Sequence, residues 1–142
     1  MSNGFNCRQM HIGDIYTMRF DGCGSEQYGW RPGLVFQNNV GNEHSPNIIA
    51  LPLTSAIKKM NQPTHVLILA IGTGLKTDSV VLCENPQIMS KSRIGRYITT
   101  LPDEYIAKVA VASLLASSAI SFIDPDVLLS VWQQALSLNI QS

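Results

Sequence analysis

The residues best suited to chemistry lie between Gly24 and His65. Arg31 opens the apolar run Arg31-Pro32-Gly33-Leu34-Val35-Phe36-Gln37, and Thr54 closes a second one over 47–54. A polar stretch, 38–46, joins them. If the two runs pair as an antiparallel hairpin, matching Gln37 with Ile48 also matches Arg31 with Thr54. Their Cα atoms would then lie about 5 Å apart, with both side chains on one face. A guanidinium is a planar, permanently charged donor that fits phosphate oxygens. A hydroxyl beside it adds a neutral donor. Together they suit a phosphodiester whose charge grows during reaction. RNA carries its own nucleophile, the 2′-hydroxyl, so its cleavage there needs neither a metal nor a protein nucleophile.

Neighbouring residues extend this spot. The loop 21–30 holds Gly22, Gly24 and Gly29 and enters directly at Arg31. Ser25, Glu26 and Gln27 can therefore overhang the pair. Tyr28 and Trp30 offer rings on which an unpaired base could stack, at roughly 1–3 kcal/mol each. Trp30 has an equal claim to be core under the loop. Lys58 and Lys59 could follow a nucleic-acid backbone, although a lysine pair is more often solvated surface. Bland readings stand beside these: an Arg at a strand start is commonly a solvated charge, and a Thr at a strand end a good strand former.

Other chemistries find little support. Gly72-Thr73-Gly74-Leu75-Lys76-Thr77 lacks the glycine that must precede the lysine of a phosphate loop, and it reads as a hairpin connection. His11, His44, His65, Cys7, Cys23 and Cys83 form no Cys-x-x-Cys or His-x-x-x-His pair, so no metal is expected. No serine sits at a glycine-flanked elbow. Three widely spaced cysteines make no disulfide framework, which suits a reducing compartment. The chain has 10 Lys+Arg and 10 Asp+Glu, which excludes nucleic-acid binding by bulk charge but not by a local site. From residue 109 onward there are Asp124 and Asp126 and no Lys or Arg, so the positive surplus lies in the part that holds the candidate site.

The elements that must position these residues follow from the patterning. A length of 142 residues suits one domain able to bury about two-thirds of its unfolded surface. Strands are predicted at 12–20, 31–37, 47–54, 64–69, 79–84 and 95–99, with 38–46 as a loop. Six short strands spaced by turns predict a small, strongly curved antiparallel sheet or barrel. Pro52 suggests an edge or a bulge. Pro102-Asp103-Glu104 is a helix-start signal. The apolar stretch 105–122 follows as a helix, Pro125 breaks it, and 126–138 makes a second. Lys108 and several serines inside 106–123 favour a packed helix over a membrane span, and the first residues show no secretory signal.

The ordered series Gly13-Asp14-Ile15-Tyr16, Gly24-Ser25-Glu26-Gln27, Arg31-Pro32, Gln37-Asn38, Gly41-Asn42, Ser45-Pro46, Leu53-Thr54 and Pro63-Thr64-His65-Val66 resembles the MazF/PemK family, ribonuclease toxins of bacterial type II toxin–antitoxin pairs. Asp78-Ser79-Val80-Val81 continues it, and the likeness runs from about Ile12 to about Ala116. The resemblance implies a mainly β fold with C-terminal helices, an SH3-like small barrel that is usually a homodimer. It divides the chain into a barrel domain with its helix, 1–118, and a helical extension, 119–142. It implies cofactor- and metal-independent cleavage of single-stranded RNA, chiefly mRNA, at a short sequence. The products are a 2′,3′-cyclic phosphate and a 5′-hydroxyl, and the setting is cytoplasmic with no membrane.

The family's catalytic Arg falls on Arg31 and its catalytic Thr on Thr54. Ser25, Glu26 and Gln27 match the loop that gates the RNA groove. The expected RNA-contacting set is completed by Tyr28, Trp30, Asn38, Ser55, Lys58, Lys59 and Glu84. An acidic antitoxin tail competes for that groove in the family. Asn39 stands where many members carry Asp. Some relatives place Arg and Asp on the strand where this chain has Leu82 and Glu84, which leaves the role of Glu84 open. The alternative is a toxin of the same fold that is no nuclease, of the gyrase-inhibitor type, or a degenerate binder of RNA or antitoxin. The presence of both Arg31 and Thr54 argues against it.

Overall fold

A computed structural model describes residues 8–21, 29–56 and 62–138 of the chain. Among these residues seven strands are present: β1 (Asp14–Phe20), β2 (Gly29–Val35), β3 (Asn47–Thr54), β4 (His65–Ile68), β5 (Ser79–Leu82), β6 (Gln87–Ser90) and β7 (Ile94–Thr100). Three α-helices join them: α1 (Asn39–His44), α2 (Asp103–Ala116) and α3 (Pro125–Leu138). All strand pairs are antiparallel. The order is β4-β5-β3-β2-β1-β7, with β6 beside β3. The molecule is thus mainly β, and no ladder joins β4 to β7.

Register explains the core. Ile15 pairs with Leu34, and Leu34 with Leu51. Leu53 pairs with Val81, and Val81 with Val66. These residues share one face, where Val109 and Ala112 of α2 join them. The opposite face carries a second cluster: Tyr16, Met18 and Phe20 of β1, with Val35, Ile48, Ala50, Met89 and Ile94. Central strands buried on both faces must be apolar at successive positions, as Leu34-Val35 and Ala50-Leu51-Pro52-Leu53 are. Burying each large side chain is worth roughly 1.5–3 kcal/mol.

Pro52 lies in the middle of the sheet, not at its edge. β3 pairs with β6 through Asn47–Ala50 and with β5 through Leu53 and Thr54. Pro52 occupies the hand-over between those two neighbours, where the outer ladder is interrupted and a missing N–H costs least.

Several boundaries depart from the sequence expectation. The segment 38–46 contains α1, whose N-cap Asn38 accepts a hydrogen bond from Gly41 N–H at 2.9 Å. Asn39 accepts another from Ile12 N–H at 2.8 Å, which ties α1 to the start of β1. β6 is an additional strand, held by its pairing with β3. β2 starts at Gly29, two residues earlier than expected. α2 stops at Ala116 and not at 122, because Ser118 takes a left-handed φ of 58°. The Ser117 hydroxyl bonds back to the Ser113 carbonyl, as serine does where a helix ends. Among the described residues no helix is long and apolar enough to cross a membrane.

Candidate active site

The β2–β3 ladder places Gly33 opposite Pro52, Leu34 opposite Leu51 and Val35 opposite Ala50. Continued outward, this register reaches Arg31 and Thr54. The ladder itself ends at Gly33, and Thr54 pairs instead with Val80 of β5. β2 and β3 therefore part just where the two side chains stand. Alternation settles their direction. Arg31 lies opposite Met18 and in line with Gly33 and Val35, while Thr54 is in line with Pro52 and Ala50. Met18, Val35 and Ala50 all belong to the cluster facing away from α2. The Arg31 and Thr54 side chains thus leave their strands on that face.

The floor beside Arg31 is apolar. Met18 and Phe20 are fully buried. Their side chains lie over Gly33, where an added Cβ would come within 2.4 Å of Met18 Sδ and 2.8 Å of Phe20 Cζ. Glycine is needed at 33 because that space is occupied. Arg31 is half-buried, and its Nη1 is buried with no hydrogen-bond partner among the described residues. Such a donor costs free energy in the empty protein, about 1–3 kcal/mol, unless a ligand or water takes it up. Thr54 Oγ1 accepts from Ala56 N–H at 3.1 Å. That bond uses a lone pair and leaves the hydroxyl proton to donate outward. One face thus presents a cationic donor and a neutral donor, with an apolar surface beneath.

The other expected residues are distributed differently. Trp30 is 58% exposed, so it is not core. It alternates to the opposite face of β2 from Arg31, across from Arg19, with its ring against Gly95. It does not line the Arg31–Thr54 spot of its own chain. The Asn38 side chain caps α1. Ser55 is exposed next to Thr54. Glu84 Oε2 lies 2.6 Å from His65 Nε2, with the His65 side chain buried. Glu84 also lines a cleft of about 500 Å³ with Cys83, Leu51 and Ser113, on the α2 side of the sheet. The structure thus separates Glu84 from the face that carries Arg31. Ser25, Glu26, Gln27, Tyr28, Lys58 and Lys59 lie outside the described residues.

Sequence reasoning missed Met18, Phe20 and Gly33 as the floor, although the alternation of β1 opposite β2 carried the signal. It also missed the buried Asp14. That carboxylate accepts from Thr100 Oγ1 at 2.6 Å and from His11 N–H at 2.9 Å, and so clamps β1 to β7. Nearby, burial and then Asp14 push the Tyr16 phenol up to about 12, so it remains a donor at neutral pH. Among the described residues no group of three or more His, Cys, Asp or Glu could hold a metal.

Comparison with known proteins adds the following. A model of the family described as PemK-like, MazF-like toxin of type II toxin-antitoxin system matches residues 11–115. Endoribonuclease EndoA of Bacillus subtilis (strain 168) is 41% identical over 111 residues, covering 78% of this chain and 96% of that protein. The crystal structure of MazF (Form-I) from Deinococcus radiodurans superposes with a TM-score of 0.67 at 25% identity, over 78% of this chain and 98% of that one. A crystal structure of MazE-MazF (Form-I) from the same organism gives a TM-score of 0.58 at 25% identity, over 76% and 97%. α3 lies beyond the span that the family shares.

Proposed function

The chain belongs to the PemK-like, MazF-like toxins of type II toxin–antitoxin systems, and we propose that Arg31 and Thr54 make it a metal-independent, sequence-selective endoribonuclease acting on single-stranded mRNA. The observation that supports this reading is the half-buried Arg31, whose Nη1 has no hydrogen-bond partner among the described residues, on the strand face shared with Thr54.

The reaction follows from those two groups. The RNA's own 2′-oxygen attacks the adjacent phosphorus, forming O2′–P as P–O5′ breaks. The 2′-proton is lost, the departing oxygen gains one, and the products are a 2′,3′-cyclic phosphate and a 5′-hydroxyl. In the transition state negative charge spreads over the non-bridging oxygens. The Arg31 guanidinium donates to one of them, and Thr54 Oγ1–H to the same or the neighbouring oxygen. The high pKa of a guanidinium makes proton transfer costly, so the main contribution of Arg31 is charge stabilisation. A donor aimed at developing charge is worth ~10²–10³ in rate.

In this reading Ser25, Glu26, Gln27 and Tyr28 overhang the scissile phosphate, Ser55 flanks Thr54, and Lys58 and Lys59 follow the strand. Asn38 and Glu84 act indirectly, through α1 and through His65. Trp30 meets RNA only where the strand rounds the end of β2. The curl of the sheet is that of a half-open SH3-like barrel. The β4–β5 loop reaches β7, where a Cβ at Gly74 would lie 2.7 Å from Thr99 Oγ1, and side chains of both edge strands join one core. The unit spans 1–118, with 119–142 as an extension. The protein acts in the cytoplasm as a homodimer. An antitoxin with an acidic tail occupies the groove, as the existence of a MazE-MazF structure among its neighbours suggests.

Purified protein incubated with long single-stranded RNA in EDTA, beside Arg31→Ala, tests the proposal. Cleavage by the native chain alone is expected. Loss of native cleavage on adding EDTA, or equal cleavage by Arg31→Ala, overturns it.

A further inference from the structure

The connection between β4 and β5 carries Lys76 across the open side of the sheet. Asp78 Oδ1 accepts from Ala70 N–H at 2.7 Å, and Thr73 Oγ1 donates to the Leu69 carbonyl at 2.7 Å, so the connection is closed on itself. Gly74 packs against Thr99 of β7. Ser79 Oγ donates to the Thr77 carbonyl at 3.1 Å. Lys76 and Thr77 are thereby set beside Thr17 of β1, Pro32 of β2 and Arg96 of β7, around a cavity of about 190 Å³. Among the described residues no Asp or Glu lines it.

Two cations share this cavity and a third belongs to the same surface. Arg19 lies opposite Trp30 in the β1–β2 ladder, on the face of β1 that also carries Thr17. Arg19, Lys76 and Arg96 are exposed, and none forms an ion pair among the described residues. The acids that follow them in the chain are engaged, Asp21 with Arg93 at 2.8 Å and Asp78 with Ala70 N–H. Trp30 stands at the rim. A Cβ at Gly95 would meet Thr17 Oγ1 at 2.4 Å and Trp30 Cζ3 at 3.1 Å, and the indole remains largely exposed. Thr17 Oγ1 accepts from Arg96 N–H at 2.7 Å and keeps its own proton to donate.

We infer that this surface is a second contact for the RNA strand, with a phosphate between Lys76 and Arg96 and a neighbouring unpaired base stacked on Trp30. The inference rests on the nuclease reading above. Cations gathered without counter-charge repel one another, and a polyanion relieves that repulsion. The chain has 10 Lys+Arg against 10 Asp+Glu, so three cations on one surface form the local site that zero net charge permits. An acidic peptide answers the cations alone. A nucleotide answers the cations and the ring, since every base has a π-face. Continuity agrees. Trp30 and Arg31 are neighbours, so their side chains leave β2 on opposite faces. A strand held at Arg31 passes the start of β2 to reach Trp30. Contacts there act on binding and not on the bond that breaks.

The test uses the full chain and a labelled single-stranded RNA that spans a mapped cleavage site, with 2′-deoxy at the cut nucleotide so that it binds uncut. Fluorescence anisotropy compares the native chain, the double variant Lys76→Gln/Arg96→Gln, Trp30→Ala, Trp30→Phe, and Lys108→Gln on α2 as a charge control, between about 50 and 200 mM NaCl. The double variant should bind at least ~10-fold more weakly at the lower salt, and its slope of log affinity against log salt should shrink by about 0.7, the share of one phosphate. Trp30→Ala should bind at least ~5-fold more weakly at an unchanged slope, and Trp30→Phe should recover most of that loss. On the all-RNA form at saturating protein, every variant should cut at the native rate. Native affinity and slope in the double variant overturn the inference, as does an equal loss in Lys108→Gln. Variants that lose poly-L-glutamate and not RNA assign the surface to an acidic protein segment, and displacement of the RNA by an equal concentration of AMP assigns it to a free nucleotide; either result overturns it. Cleavage by the native chain beside a silent Arg31→Ala keeps the nuclease reading intact whichever way this test falls.

Discussion

Replacing Arg31 by Met is expected to stabilise the fold while removing RNA cleavage. The stabilisation follows from the buried Nη1, which has no partner among the described residues. A buried donor without an acceptor costs about 1–3 kcal/mol. Arg31 is only half-buried, so the lower end applies, about 1 kcal/mol. Methionine keeps a long, unbranched stem, discards the charge, and can rest against Met18 and Phe20, which are themselves fully buried. For a chain of this size 1 kcal/mol raises the midpoint of thermal unfolding by roughly 3–4 °C. In urea it raises the midpoint by roughly 0.3–1 M. Both can be followed by circular dichroism at pH 7, with cleavage of a long single-stranded RNA measured on the same preparation. The expected result is a higher melting point and a rate at least ~100-fold lower. A melting point that falls by several degrees refutes the reasoning, because it would mean that the guanidinium holds the fold together. Groups kept for function at a cost in stability are a general feature of active sites.

Thr54→Val should lower the cleavage rate ~10²-fold or more while Thr54→Ser retains most of it, because the hydroxyl proton is the active feature; single-turnover kinetics separates the two. Gly33→Ala should cost about 1–3 kcal/mol by overpacking, since its Cβ would meet Met18 Sδ at 2.4 Å; a thermal melt unchanged within a degree would contradict that packing. Burial pushes the Cys83 thiol up to about 11 from 9.0, and Tyr16 up to about 12 from 10.0. Raised acids hold their protons in the folded state, so stability present at neutral pH should fall as pH climbs through 9 toward 12. Urea melts at pH 8 and pH 10 check this, and Cys83→Ala should delay the onset of the fall to about pH 10.

The hairpin register was legible because both strands are apolar, punctuated by Pro32 and ended by polar residues, so one pairing brings buried side chains together. The pairs Gly33 with Pro52 and Leu34 with Leu51 belong to that same register. α1 was illegible because six residues including Gly41 are too few to show a helical period. Asn38, a favoured N-cap residue, was the available signal. β6 was illegible because Met89 is its only fully buried residue, and a strand made by a distant partner leaves little local pattern. The early end of α2 rests on Ser117 and Ser118, which compete for backbone partners in a stretch whose hydropathy runs on unbroken. At the site, the residue types of Arg31 and Thr54 were visible, but the isolation of Nη1 depends on three-dimensional packing around it. The position of Trp30 could have been deduced: next to Arg31 on a strand, it must face the other way.

The account depends on attack by the RNA's own 2′-hydroxyl under charge stabilisation by Arg31 and Thr54. The most direct measurement first maps a cleavage site in RNA. It then compares two oligonucleotides, identical except for a single 2′-deoxy substitution at the nucleotide whose 3′-phosphate is cut. The account predicts equal binding, a 5′-hydroxyl product from the first and no cleavage of the second at that bond. Cleavage of the substituted oligonucleotide at the same bond would contradict it.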